Sequence, residues 1–190
     1  VEMAENNARI TLDNREKANK NLLLELKQRL CLDSLPRKIE SYDISNISGQ
    51  YMVSAMCVMI DGVIKKNLSR KFRIKTVYGQ DDPKSMMETV VRRLHHSINL
   101  SNRSDLLDNI KDKYFMDKGF GRLPDLILAD GGITQIKAIK LAIESVEREI
   151  NQKLDIAVFG MVKNDKHQTR ALIDEDRNEF EVSEQLFNLI

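Results

Sequence analysis

Leu126-Ile127-Leu128-Ala129-Asp130-Gly131-Gly132 is the stretch on which the reading of the chain turns. An apolar run bounded by a carboxylate and two glycines marks a short buried strand with a turn straight after it. Beyond the glycines, Thr134 to Ile150 reads as a helix and Ile156 to Met161 as the next strand. A polar loop leads on to Ala171-Leu172-Ile173, a turn at Asp174 to Asn178, and Glu179-Phe180-Glu181-Val182, which together form a hairpin. Ser183 is placed to cap a last helix.

Upstream, Asp82-Pro83 opens a helix to about Ile98, with Met86, Met87, Val90, Val91, Leu94 and Ile98 as its apolar stripe. Residues 99–122 are polar, with a short helix expected near Asp105–Tyr114. Before them come three strands, at Ile39 to Ile44, Tyr51 to Ile60 and Val63 to Ile74. Asp61-Gly62 is a hairpin signal between the second and third. Three antiparallel strands followed by helix, strand, helix, strand is the order of an α/β RNase H-like fold. It implies a mixed sheet flanked by helices, its parallel strands joined by right-handed crossovers. Ala4 to Leu32 lacks Gly and Pro and reads as a long helical leader whose later half, rich in Leu, packs on the domain. Pro36 ends it. The expected division is a leader over 1–35 and the RNase H-like domain over 36–190.

Composition narrows the classes. The chain is 190 residues, 42% hydrophobic and 31% charged, enough to bury a core. The longest apolar run, Tyr51 to Ile60, holds Ser54 and is far short of the ~20 residues of a membrane span. With no signal-peptide pattern, the expectation is a cytoplasmic protein without membrane contact. Cys31 and Cys57 form no disulfide framework and are expected to act as small hydrophobes. Net charge is +1, but unevenly spread: Lys65, Lys66, Arg70, Lys71, Arg73 and Lys75 fall in an acid-free stretch, the layout expected of a phosphate-backbone contact. Phosphate loops, nucleophile elbows and zinc spacings are missing from the sequence. Aromatic residues are only 5%, which argues against base stacking as the main mode of recognition.

Three aspartates, Asp43, Asp82 and Asp130, each stand where one element meets the next. Hard divalent cations such as magnesium take carboxylate oxygens, and a bound cation activates water for attack at phosphorus. Each aspartate also has a plainer reading. Asp43 would bond the turn at Ser45 or Asn46, Asp130 would be a cap or turn residue for the following helix, and Asp82 before Pro83 is a standard helix start. Asp81 reads as a solvated neighbour of Asp82, and His95 and His96 as surface residues.

Four segments together resemble the C-terminal endonuclease half of the UvrC family, from about Ile39 onward. They are Tyr42-Asp43-Ile44-Ser45, Gln80-Asp81-Asp82-Pro83-Lys84-Ser85-Met86, Leu128-Ala129-Asp130-Gly131-Gly132, and Gly160-Met161-Val162-Lys163-Asn164-Asp165-Lys166-His167-Gln168-Thr169-Arg170. Their order and spacing carry the resemblance; an isolated Asp-Gly-Gly is weak. The resemblance implies a metal-dependent endonuclease making the 5′ incision of bacterial nucleotide excision repair. Asp43 and Asp130 would hold Mg2+ or Mn2+, and Asp82 would complete the catalytic set. Lys71, Arg73, Lys163, Lys166, His167 and Arg170 would contact DNA phosphates. The partners implied are damaged double-stranded DNA and, in the full-length protein, a UvrB–DNA complex. The family's catalytic His and its helix-hairpin-helix motifs would lie beyond Ile190. The chain is therefore expected to be a fragment that cuts little alone. The alternative is a noncatalytic DNA- or partner-binding module with the same fold; a third reading is an RNA-directed relative of RNase H.

Overall fold

Successive side chains of a strand point to opposite faces, and β1 (Lys38–Ile47) uses this to build two different environments. The computed structural model describes residues 2–47, 51–77, 79–105, 121–163 and 169–183. After β1 come β2 (Tyr51–Ile60), β3 (Val63–Ile64) and β4 (Arg70–Arg73). Then follow β5 (Leu126–Asp130), β6 (Ala157–Lys163), β7 (Thr169–Ile173) and β8 (Glu179–Glu181). The helices are α1 (Glu2–Arg29), α2 (Asp82–Asp105) and α3 (Ile133–Ile150). The strands form one sheet in the order β3-β2-β1-β5-β6-β7-β8, with β4 also paired to β2. β1, β5 and β6 are mutually parallel and the remaining pairs antiparallel, so the mixed sheet is as the sequence implies.

One face of the sheet is covered by α2 and α3. Met86, Val90 and Leu94 from α2 and Ile136, Ile139, Ile143 and Val146 from α3 share a core with Tyr42, Met56, Val58, Ile127 and Ala129. The i, i+3, i+4 spacing of these residues is why both helices form and face inward. On the opposite face, Leu23, Leu26 and Leu30 of α1 pack on Ile39, Met59, Leu126, Leu128 and Phe159. Each buried leucine contributes about 1.5–3 kcal/mol, enough to dock the last turns of α1. Every described side chain from Met3 to Ala18 is exposed. α1 crosses only one end of its face. Asn19 lies against Gly62 at the β2–β3 turn, and among the described residues no helix covers the end of the face carrying the exposed Asp43.

Some expectations are corrected. The third strand does not run from Val63 to Ile74. It is broken into β3 and β4 by a turn at Lys65 to Ser69, which drops Leu68 into the core and anchors Ser69 on the Lys65 carbonyl. The Asp61-Gly62 hairpin stands, both residues at positive φ (51° and 74°) as a tight primed turn requires. α2 runs to Asp105, past the expected end at Ile98. The cysteines are not buried: Cys31 and Cys57 are both exposed free thiols. The helix expected near Asp105–Tyr114 lies outside the described residues apart from Asp105 itself, as does the last helix after Ser183. Among the described residues no helix is long and apolar enough to cross a membrane.

Candidate active site

Strand register brings Asp43 and Asp130 together. Tyr42 on β1 is paired with Ala129 on β5, and each aspartate is the next residue along two parallel strands. Neighbouring strands run ~4.8 Å apart, and residues in register point to the same face. The side chains at Asp43 and Asp130 therefore stand side by side on the α1 face, at its uncovered end. The same row extends across the sheet. Asp43 is in register with Ala55, Ala55 with Lys71, Asp130 with Met161, and Met161 with Leu172. The next row on that face holds Ser45, Val53 and Arg73. Lys71 and Arg73 thus share the face of the two carboxylates, two strand spacings from Asp43, or roughly 10 Å at the backbone.

Asp43 is not at a turn and Asp130 is not the cap of α3. Asp43 lies within a strand that continues to Ile47, is exposed, and accepts a hydrogen bond only from the Ser45 hydroxyl (3.2 Å) among the described residues. Asp130 does not cap α3, whose N-cap is Gly132 with no side-chain cap bond. Gly131 at φ 149° turns the chain away immediately after Asp130, a conformation that needs glycine. Gly160 on β6 lets that turn pack closely, since a Cβ there would stand 2.6 Å from the Gly131 carbonyl oxygen.

Lys163 is the cation seen at the site among the described residues. Its Nζ is 2.5 Å from Asp130 Oδ2, with both side chains partly exposed. It follows Met161 by two residues on β6, hence on the same face. The β6–β7 ladder slips there: Val162 pairs with Ala171 but Lys163 with Thr169. Bulges of this kind re-aim side chains beside active sites. Arg170, the extra residue on β7, turns toward β8 and is ion-paired to Glu179 (2.9 Å). Lys166 and His167 lie outside the described residues.

At the N-terminus of α2 the cap is Asp81 and not Asp82. Asp81 is not a solvated bystander but the cap: its Oδ1 accepts the Lys84 N–H (3.0 Å), and its Oδ2 is 2.8 Å from the Lys84 ammonium. The Lys84 ammonium and backbone N–H hold the Asp81 carboxyl below its usual value, and the ammonium is raised in turn. Asp82 is thereby left exposed and accepts no hydrogen bond among the described residues. It lines an open cleft of about 620 Å³ with Ile44, Gln80, Asp81, Pro83, Thr134 and Gln135. Ile44 packs against the α2–α3 core, so this cleft opens on the other side of β1 from Asp43. Register joins Asp43 to Asp130 but does not bring Asp82 into their row.

Two adjacent carboxylates with water access suit a hard divalent cation. Magnesium is commonly held by one or two carboxylates, with waters and substrate phosphates completing the shell. The Lys163 ammonium on Asp130 shows that the position already favours positive charge. Among the described residues no group of three or more acidic, imidazole or thiol side chains is placed to enclose an ion.

Sequence reasoning missed a second charged cluster, under α2. Glu40 accepts from Arg93 Nη2 (2.7 Å) and Nε (3.2 Å) and from the Tyr42 hydroxyl (2.7 Å), and its Oε1 is 3.0 Å from Lys38 Nζ. Lys38, Glu40, Tyr42 and Arg93 are all essentially inaccessible to solvent. Burial pushes the Lys38 ammonium down to about 8, and burial beside Glu40 raises the Tyr42 phenol. The available signal was the alternation of Lys38, Glu40 and Tyr42 on one face of a strand whose neighbours are apolar.

Comparison with known proteins agrees with this architecture. The family model described as the UvrC RNase H endonuclease domain matches residues 27–189. The UvrABC system protein C of Acetivibrio thermocellus is 38% identical over 193 aligned residues, covering 98% of this chain and 30% of that protein. Its counterpart in Clostridium perfringens is 40% identical, covering 91% of this chain and 27% of that protein. The chain thus spans less than a third of the length of these relatives. Among solved structures, an Endonuclease V from Ciona intestinalis in complex with DNA is 13% identical with a TM-score of 0.38, covering 84% of this chain and 59% of that one. An Argonaute from Kluyveromyces polysporus with a guide RNA is 16% identical with a TM-score of 0.42, covering 86% and 18%. On its sequence, and with the mixed sheet just described, the chain belongs to the family of UvrC RNase H endonuclease domains.

Proposed function

We propose that this domain is a metal-dependent endonuclease acting on DNA, the incision module of a nucleotide excision repair protein. The observation that carries the reading is the adjacency of Asp43 and Asp130 on an open sheet face shared with Lys71, Arg73 and Lys163. Asp43 and Asp130 would hold Mg2+ or Mn2+, which when bound lowers the pKa of water and offsets charge developing at phosphorus. Lys71 and Arg73 hold the backbone of the bound strand on the β2–β4 side. Lys163 approaches from the β6 side, and the flanking Lys166, His167 and Arg170 are assigned to further phosphate contacts. Asp82, at the rim of the neighbouring cleft, is assigned a supporting role as a free carboxylate, since Asp81 takes the capping duty.

Incision on the 5′ side of a lesion, and loading by a UvrB–DNA complex, are proposed from family membership alone, with damage recognition assigned to those partners. The alternative is a noncatalytic binding module, in which Lys163 and Asp130 form a structural ion pair. Nicking of a lesion-bearing plasmid by the protein at full length, with Mn2+, separates the two. Asp43→Asn and Asp130→Asn should each reduce nicking by about 100-fold or more while binding to the same DNA persists. Nicking that survives both substitutions overturns the assignment.

A further inference from the structure

We propose that Lys163 is a built-in counter-ion of the site, seated where a divalent cation binds and exchanged for it. The inference rests on the metal-binding reading of Asp43 and Asp130. Its observations are geometric. The Lys163 ammonium contacts Asp130 Oδ2 at 2.5 Å, and Asp130 adjoins Asp43 in register on the same face. The β6–β7 ladder slips at Lys163 itself, the device by which a strand end redirects one side chain. The Lys163 side chain is partly exposed, so burial does not lock it in this position. Asp43 has no cationic partner among the described residues, so the lysine neutralises only half of the pair.

The physical consequence is competition. A divalent cation shared by Asp43 and Asp130 satisfies two carboxylates, whereas the ammonium satisfies one. Both cations cannot occupy the same oxygen of Asp130, because like charges at contact distance repel strongly even in a solvated site. Lys163 therefore gives way when the divalent ion enters. Its long flexible stem leaves its charge within reach of the face over which the DNA backbone passes. The lysine thus keeps the carboxylate pair from repelling itself in the empty state, sets a threshold for metal entry, and is released toward phosphate when the site is loaded.

The test is Mn2+ binding by calorimetry, paired with the Mn2+-induced rise in melting temperature, in the parent chain, Lys163→Met, Lys163→Arg and Asp130→Asn. Lys163→Met keeps the length of the side chain and removes its charge. It should bind Mn2+ about three- to tenfold more tightly, the scale set by losing a part-exposed ion pair and its repulsion of the incoming ion. It should also gain more in melting temperature per added Mn2+. Lys163→Arg should bind like the parent. Equal affinities for the parent and Lys163→Met, both abolished by Asp130→Asn, would overturn the counter-ion role and leave the metal site standing. Binding that is absent throughout, or that survives Asp130→Asn, would overturn the metal reading and this inference with it.

Discussion

Strand β1 carries two carboxylates three residues apart, and they have opposite fates. Glu40 points under α2, inaccessible to solvent and ringed by Lys38, Arg93 and the Tyr42 hydroxyl. Asp43 points to the other face, exposed, with one weak contact from Ser45. The groups that burial perturbs most strongly, Lys38 and Tyr42, thus lie in the structural cluster and not at the candidate site. Perturbation by burial alone is therefore a poor guide to function here. The better marker is a charge that the fold leaves without its full complement of partners.

The largest expected effect would break this contrast if it failed to appear. Glu40→Gln leaves two buried cations facing a neutral amide, and should cost about 3–5 kcal/mol of stability. Asp43→Asn should change stability by less than about 1 kcal/mol, because the exposed Asp43 carboxylate has one weak contact and Lys163 already offsets the charge of Asp130. Urea unfolding of both variants measures the difference; similar losses would mean that the two carboxylates are equally structural.

The Lys38 ammonium sharpens the comparison through pH. Its folded value of about 8 lies below the ordinary 10.5, so the unfolded chain binds more protons between those limits. Stability should accordingly rise with pH through this window and be lost as pH falls through 8. The gain from pH 8 to 9.5 is expected to be roughly 1–2 kcal/mol. Lys38→Met should flatten the curve. Above pH 10 the raised Tyr42 phenol acts in the opposite sense, so the measurement belongs below that point.

The smallest effect concerns the open face alone. Lys71→Ala with Arg73→Ala should weaken DNA binding for all sequences alike and reduce the salt slope by about one to two units. Cys57 is in register with Ser41 on the same face, and Cys31 lies at the far end of α1, so the two thiols form a matched probe. Bound DNA should slow alkylation of Cys57 several-fold and leave Cys31 unchanged. Equal protection would place the DNA elsewhere.

Much of this was legible in the sequence, for physical reasons that differ by element. Asp130-Gly131-Gly132 announced both the strand and its turn because only glycine accepts the backbone at Gly131. The apolar stripe of α2 gave its inward face. Local pattern could not show that Leu68 would leave the strand for the core, since that is decided by the room under α2. It also could not choose between Asp81 and Asp82 as the cap: both precede the same helix, and one hydrogen bond from the Lys84 backbone settles it. The buried Glu40 cluster needed partners from α2 and from the loop at Arg122, which no window along β1 contains.

The pairing of β1 with β5 also has a kinetic side. The hydrogen bond from the Lys38 N–H to the Asp125 carboxylate joins residues 87 apart in sequence, and the two aspartates of the site sit on the same pair of strands. The β1–β2 hairpin closes over a few residues and can form on the microsecond scale, but β1–β5 must wait for a long loop to be closed. The chain therefore acquires half of its carboxylate pair early and the other half late. A carboxylate pair divided in this way is incomplete in partly folded molecules, and substitutions that slow the β1–β5 docking should delay its assembly without altering the final structure.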